Sequence, residues 1–167
     1  FLYERLTAAE FFVFTGELYD IPSSRIREDL QTSFALFGLT DYRAVLVKDL
    51  SHGLRQRLIY ASTLLHDPKV LFIDEPLIGL DPYTIRMIKD LLREKTRNGM
   101  TSFLTTNILA LAEDIADRIG ILQNGRLVAL GTLEELVRKS DSKGNLESIF
   151  LELTSAPRTP IAPEEGR

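Results

Sequence analysis

Four apolar residues in unbroken succession, Val70-Leu71-Phe72-Ile73, run straight into Asp74-Glu75-Pro76. A short, wholly apolar run of this kind reads as a parallel strand covered on both faces, and it predicts an α/β fold. Two carboxylates at the end of such a strand are costly, because a buried charge needs a cation or hydrogen-bond donors beside it. Their presence points to chemistry rather than packing. Adjacent strand residues diverge in direction, so the two acids can serve different partners. Pro76 lacks an amide donor, and the ladder is expected to stop there.

Helix and strand signals alternate around this run. Thr7-Ala8-Ala9-Glu10 is a capping-box pattern that predicts a helix over residues 7–19, and a second helix follows Pro22-Ser23-Ser24 and ends at Gly38. Ser51 opens a helix that closes near His66-Asp67-Pro68. Asp81-Pro82 opens another with an Asp cap and Pro at the first helical position, ending near Arg97-Asn98-Gly99. Residues 100–105 read as a strand, 109–116 as a helix and 118–122 as extended. Asn124-Gly125 is a hairpin turn leading into residues 126–130. Thr132-Leu133-Glu134-Glu135 is a second capping box, and Leu146–Leu153 a last amphipathic helix. Residues 141–145 read as a loop. From Ser155 the chain carries Pro157, Pro160 and Pro163 without apolar periodicity and is expected to be disordered.

Nine of the fourteen aromatic residues lie between Phe1 and Tyr42, ahead of the carboxylates. That shift separates a helical part, residues 1–65, from an α/β part, residues 66–140, with a C-terminal helix over 141–154 and a tail over 155–167. Phe11, Phe12, Phe14 and Tyr19 could either pack inside the helical layer or form a docking surface. With 44% apolar residues, 167 residues can build a core, and the net charge of −4 shows no basic face for nucleic acid. There is no cysteine, and His52 and His66 are the only histidines, too few for a zinc cluster. No apolar run reaches the roughly 20 residues that span a bilayer.

The run Leu50-Ser51-His52-Gly53-Leu54-Arg55-Gln56-Arg57 is a helix start suited to an anion. Ser51 offers a hydroxyl, Gly53 allows close backbone approach, and the helix dipole adds partial positive charge. Followed by Val70–Pro76 and then Gly79-Leu80-Asp81-Pro82, it resembles the signature motif, Walker B strand and D-loop of an ATP-binding cassette (ABC) ATPase. The resemblance covers Phe1 to Thr154. Phe1–Thr7 is similar to the segment after the Q-loop, and Leu146–Thr154 to the ending of ATPase subunits from the drug, polysaccharide or bacteriocin exporter branch. It implies a partial P-loop NTPase (RecA-like) core with parallel strands plus the ABC α-helical subdomain, using ATP and Mg²⁺. Asp74 would hold Mg²⁺ through water, and Glu75 would orient and deprotonate the attacking water. Ser51, Gly53 and the backbone at Leu54 would contact ATP held by the opposite subunit, and Asp81 would link the two sites. The implied partners are a membrane permease and a second nucleotide-binding domain, at the cytoplasmic face of the membrane.

Two departures bear on activity. His52 and Leu54 replace the commoner Gly and Gln of the signature. Asn107 stands where the family's H-loop histidine contacts the γ-phosphate; an amide is shorter and cannot become cationic, which implies slower hydrolysis. No G-x-x-x-x-G-K-[ST] run occurs between Phe1 and Arg167. The chain therefore reads as the second half of a nucleotide-binding domain, with an open strand edge beside residues 101–105. It is expected not to hold ATP alone. The two readings are a catalytic exporter subunit and a non-catalytic module that presents its signature to a partner.

Overall fold

Thr7 and Glu10 start the first helix as their spacing predicts. The Glu10 amide donates to Thr7 Oγ1 at 3.2 Å, and the Thr7 amide to Glu10 Oε2 at 2.8 Å. That reciprocal cap opens α1 (Ala8–Leu18), in a computed structural model that describes residues 3–77, 79–140 and 145–155. Phe1, Leu2, most of the loop expected at 141–145 and the tail after Ser155 lie outside the described residues. α2 (Ser23–Leu36) ends in a Schellman turn: Gly38 takes φ +64°, its amide donates to Ala35 O, and the Leu39 amide reaches Phe34 O at 2.7 Å. Phe34 and Leu39, the apolar pair that goes with this motif, are both fully buried.

The chain divides into two units, Phe1–Thr105 and Thr106–Arg167. In the first, α1, α2 and α3 (His52–Leu64) build a core around Phe12, Ile26, Phe34, Val47 and Leu58. The Phe12 and Phe34 rings meet edge to face at 5.5 Å. Gly16 is required here, because a Cβ would lie 2.7 Å from Ile26 Cδ1 and 3.0 Å from Leu65 Cδ2. Phe11 and Phe12 are buried, so the packing alternative holds for them. Phe14 packs edge-on against Tyr3, and the half-exposed Tyr19 stacks flat on His66 at 3.8 Å. The entry to α1 is clipped to the segment before α3 by Ala8 N to Val45 O and Val47 N to Leu6 O, both 2.9 Å.

The α/β portion of this unit is β1 (Val70–Asp74), α4 (Pro82–Arg97) and β2 (Thr101–Thr105). The strands pair in parallel, from Val70 opposite Thr101 to Asp74 opposite Thr105. α4 turns Thr84, Ile88 and Leu92 inward, one residue per turn. One expectation fails. β1 is not covered on both faces: Leu71 is buried, whereas Val70 and Phe72 are 52% and 74% exposed, next to a Phe103 that is 58% exposed. An apolar run fixes neither how many strands join a sheet nor what lies over each face. Among the described residues this sheet has two strands, so the outer edge of β2 is open as expected.

The second unit holds α5 (Leu109–Ile115), the antiparallel pair β3 (Ile119–Gln123) and β4 (Arg126–Gly131), α6 (Leu133–Lys139) and α7 (Leu146–Ser155). Asn124 and Gly125 both take positive φ, +50° and +76°, as a two-residue hairpin turn requires. Ile119, Ile121, Leu136, Leu146 and Ile149 form its core. The Thr132–Glu135 capping box forms as predicted. No helix among the described residues is long and apolar enough to cross a membrane.

Candidate functional site

β1 ends by presenting Asp74 and Glu75 side by side, and Thr105, the last residue of β2, holds both. Its hydroxyl donates to Asp74 Oδ1, and its carbonyl accepts the Glu75 amide at 3.0 Å. Asp74 is exposed and Glu75 half-buried. Glu75 adopts φ +47°. Three of the four described non-glycine residues with positive φ are Asp or Asn, which tolerate that region, whereas Glu75 bears a strain of about 1–3 kcal/mol. Two adjacent acids thus close the strand: Asp74 is exposed and still paired in the ladder, while Glu75, on a strained backbone, keeps its Oε2 buried.

α3 begins at Ser51, whose Oγ caps the helix by accepting the Leu54 amide at 3.3 Å. The Leu54 backbone is thereby engaged inside the chain. Gly53 in the first turn is different: a Cβ added there would meet nothing within 4 Å. Among the described residues, no packing demands glycine at 53.

The same helix grips the loop that follows β1 at three points. Tyr60, near the end of α3, is buried, which pushes its phenol pKa upward, and its hydroxyl donates to Pro76 O at 3.4 Å. The His52 ring lies against Gly79, 3.2 Å from where a Cβ would stand, and Gly79 takes φ +73°. Arg57 reaches the start of α4: its Nε donates to Thr84 Oγ1 at 2.9 Å and its Nη2 to Asp81 Oδ2 at 3.3 Å. Asp81 caps α4 by accepting the Thr84 amide at 3.0 Å and the Thr84 hydroxyl at 2.5 Å. These two bonds, with Arg57 adding to them, hold the Asp81 carboxyl down at about 2.

Of the residues singled out in the sequence, Ser51, Gly53, Leu54, Asp74, Glu75 and Asp81 fall in the first unit, on α3 and on the turns that flank β1 and α4. Asn107 lies in the second unit, exposed at a bend after β2 where the Ile108 amide donates to Thr106 Oγ1 at 3.0 Å. Sequence reasoning assigned no role to Thr105, Tyr60, Thr84 or Arg57. For Thr105 no local signal existed, since the strands read from the sequence, 70–73 and 100–105, carry no register, and it is the parallel pairing that brings Thr105 opposite Asp74. Among the described residues no cluster of three or more Asp, Glu, His or Cys side chains could cage a metal ion. A cation at Asp74 would draw its other ligands from water or from a bound anion, which is how Mg²⁺ is usually held.

A family model described as "AAA domain, putative AbiEii toxin, Type IV TA system" matches residues 2–111. The fluoroquinolones export ATP-binding protein MT2762 of Mycobacterium tuberculosis (strain CDC 1551 / Oshkosh) is 39% identical over 134 residues, which are 80% of this chain and 43% of that protein. The daunorubicin/doxorubicin resistance ATP-binding protein DrrA of Streptomyces peucetius is 40% identical over 133 residues, 80% of this chain and 40% of DrrA. This chain thus spans less than half the length of these relatives. A solved structure, of the ATP-binding subunit of an ABC transporter, matches with a TM-score of 0.85 at 30% identity, over 92% of this chain and 64% of that one.

Proposed function

Because the chain belongs to the AAA-domain family and is similar to ATP-binding proteins of ABC transporters, we propose that it forms the signature and Walker B half of an exporter's ATP-hydrolysing subunit. In this reading ATP closes a dimer of nucleotide-binding domains, and closure drives export through a separate membrane permease at the cytoplasmic face. The observation that carries the reading is the end of β1: two adjacent acids, the Asp74 carboxylate exposed and bonded by the Thr105 hydroxyl, and Glu75 on a strained backbone whose amide donates to Thr105 O. Asp74 fits a Mg²⁺ role, being exposed and bonded through one oxygen to the Thr105 hydroxyl, with further lone pairs for a cation or its water. Mg²⁺, when bound, would neutralise phosphate charge. Glu75 would orient the attacking water and take its proton. Ser51 and the open position at Gly53 would face the ATP of the opposite subunit, with Asp81 linking the sites.

The direct test mixes the chain with DrrA of S. peucetius as the partner that binds MgATP, and follows association by sedimentation. Association that needs MgATP and is lost in Ser51→Ala supports the reading. Micromolar MgATP binding by the chain alone, measured by calorimetry, would contradict its assignment as a half-site. Asn107 favours the second reading, a module that presents its signature without efficient catalysis. In an assembly with turnover, Asn107→His should raise the rate by about 10- to 1000-fold, the scale of one transition-state contact. An unchanged rate would show that position 107 does not limit hydrolysis.

A further inference from the structure

Asp81 needs no help to cap α4. The amide and hydroxyl of Thr84, at 3.0 and 2.5 Å, already use both of its carboxylate oxygens in a self-contained N-cap. Arg57 is an addition from another helix, 24 residues upstream. Its Nε and Nη2 lie along one edge of the guanidinium, and both point at this cap: Nε to Thr84 Oγ1, Nη2 to Thr84 Oγ1 and to Asp81 Oδ2. Thr84 is fully buried, and its hydroxyl accepts from Arg57 while donating to Asp81. A valine would fill that volume equally well, so packing does not explain the hydroxyl.

Arg57 also has little room to move. Its side chain is only 18% exposed, and its Nη1 lies 3.2 Å from where a Cβ on Gly38 would stand. The guanidinium is wedged between the end of α2 and the start of α4, with the Tyr83 ring 6.0 Å away. One to two turns earlier on the same helix stand Gly53 and the cap residue Ser51. We infer that Arg57 is a positioning residue: its guanidinium fork locks the Asp81–Thr84 turn to the signature helix, so that the two surfaces move as one piece.

What those surfaces face rests on the nucleotide-binding reading. The lock itself is a property of the folded chain and can be tested without nucleotide, so the failure of one is distinguishable from the failure of the other. The experiment is amide hydrogen exchange on the full chain. It is read at Arg55, whose amide donates to Ser51 O, and at Thr84 and Ile85, whose amides donate to Asp81. Ser51→Ala removes the cap of α3 and should speed exchange at Arg55 about fivefold, the factor for a cap worth about 1 kcal/mol. With Arg57 present, exchange at Thr84 and Ile85 should rise with it. In an Arg57→Lys background the Ser51→Ala effect should stay within α3, because lysine keeps the charge but not the fork. Thr84→Val cuts the same link from the other side and should give the same confinement, whether or not the Arg57 variant folds. An unchanged Thr84 and Ile85 on Ser51→Ala in the parent chain would overturn the inference. So would transmission that survives both Arg57→Lys and Thr84→Val, since the cap would then follow α3 by another route.

Discussion

At the scale of single residues, the site separates positions the fold needs from positions it does not. Gly16 belongs to the first kind, with Ile26 Cδ1 2.7 Å from where its Cβ would sit, and Gly53 to the second. Gly53→Ala should therefore leave the chain as stable or raise its stability by about 0.5–1 kcal/mol, the usual gain of Ala over Gly in a helix. The same change should weaken MgATP-dependent association with a partner at least about tenfold, as one methyl group obstructs close approach. Urea unfolding and sedimentation check the two halves, and a loss of stability with normal association would reverse the argument. Asp81 gives a prediction in pH. Its carboxyl falls from an ordinary 3.8 to about 2 in the folded chain, first through Thr84 and then through Arg57. A depressed folded value means a contribution that is complete above about 4 and lost as pH drops through 2. Asp81→Asn should remove that part of the pH dependence, so unfolding curves of the two proteins should converge between pH 4 and pH 2. A constant gap across that range would mean the carboxylate is not held as described.

At the scale of elements, local chemistry was legible and long-range pairing was not. Thr7 with Glu10, Thr132 with Glu135, Asp81 with Pro82 and Asn124 with Gly125 each satisfy their own backbone within a few residues, so the starts of α1, α6 and α4 and the β3–β4 turn follow from the residues themselves. The carboxylate pair was legible for the same reason, since its cost shows in the local run. The Arg57 link spans 24 and 27 residues, and nothing in the periodicity of α3 points to it. Glu75's backbone was equally hidden: its positive φ has no glycine or asparagine to announce it, and its amide pairs with Thr105, thirty residues on. The covering of β1 shows the limit most directly. Val70, Phe72 and Phe103 read as core and stand in solvent, with the Phe72 and Phe103 rings 5.6 Å apart. Parallel strands are stable when both faces are covered, and a bare apolar face with an open edge favours association. The isolated chain should self-associate, and Phe72→Ser should lower the associated fraction in sedimentation while changing stability by less than about 0.5 kcal/mol, because this ring is mostly exposed. A monomeric parent chain would refute the first statement.

At the scale of the whole molecule, the chain carries two cores. One gathers Phe12, Ile26, Phe34 and Leu58 under α3, and the other gathers Ile119, Ile121, Leu136, Leu146 and Ile149 behind the hairpin. Asp74, Glu75, Ser51, Gly53 and Asp81 all depend on the first, and Asn107 belongs to the second unit. The second unit is tied within itself by Gln123 Nε2 to Thr154 O at 2.9 Å, by the Leu146 amide to Glu113, and by Ser140 Oγ to Glu152 at 2.7 Å. Those bonds close α5, α6, α7 and the hairpin on one another, which makes the unit a candidate for opening as one cooperative piece. Leu136→Ala tests this, since Leu136 is 2% exposed and its truncation should cost about 2–5 kcal/mol. Native-state hydrogen exchange should then show lost protection at Ile121 and Ile149 and none at Phe12 or Leu58. A common loss at all four would mean that the two cores unfold together, and that a lesion behind the hairpin reaches the carboxylates of β1 through global stability.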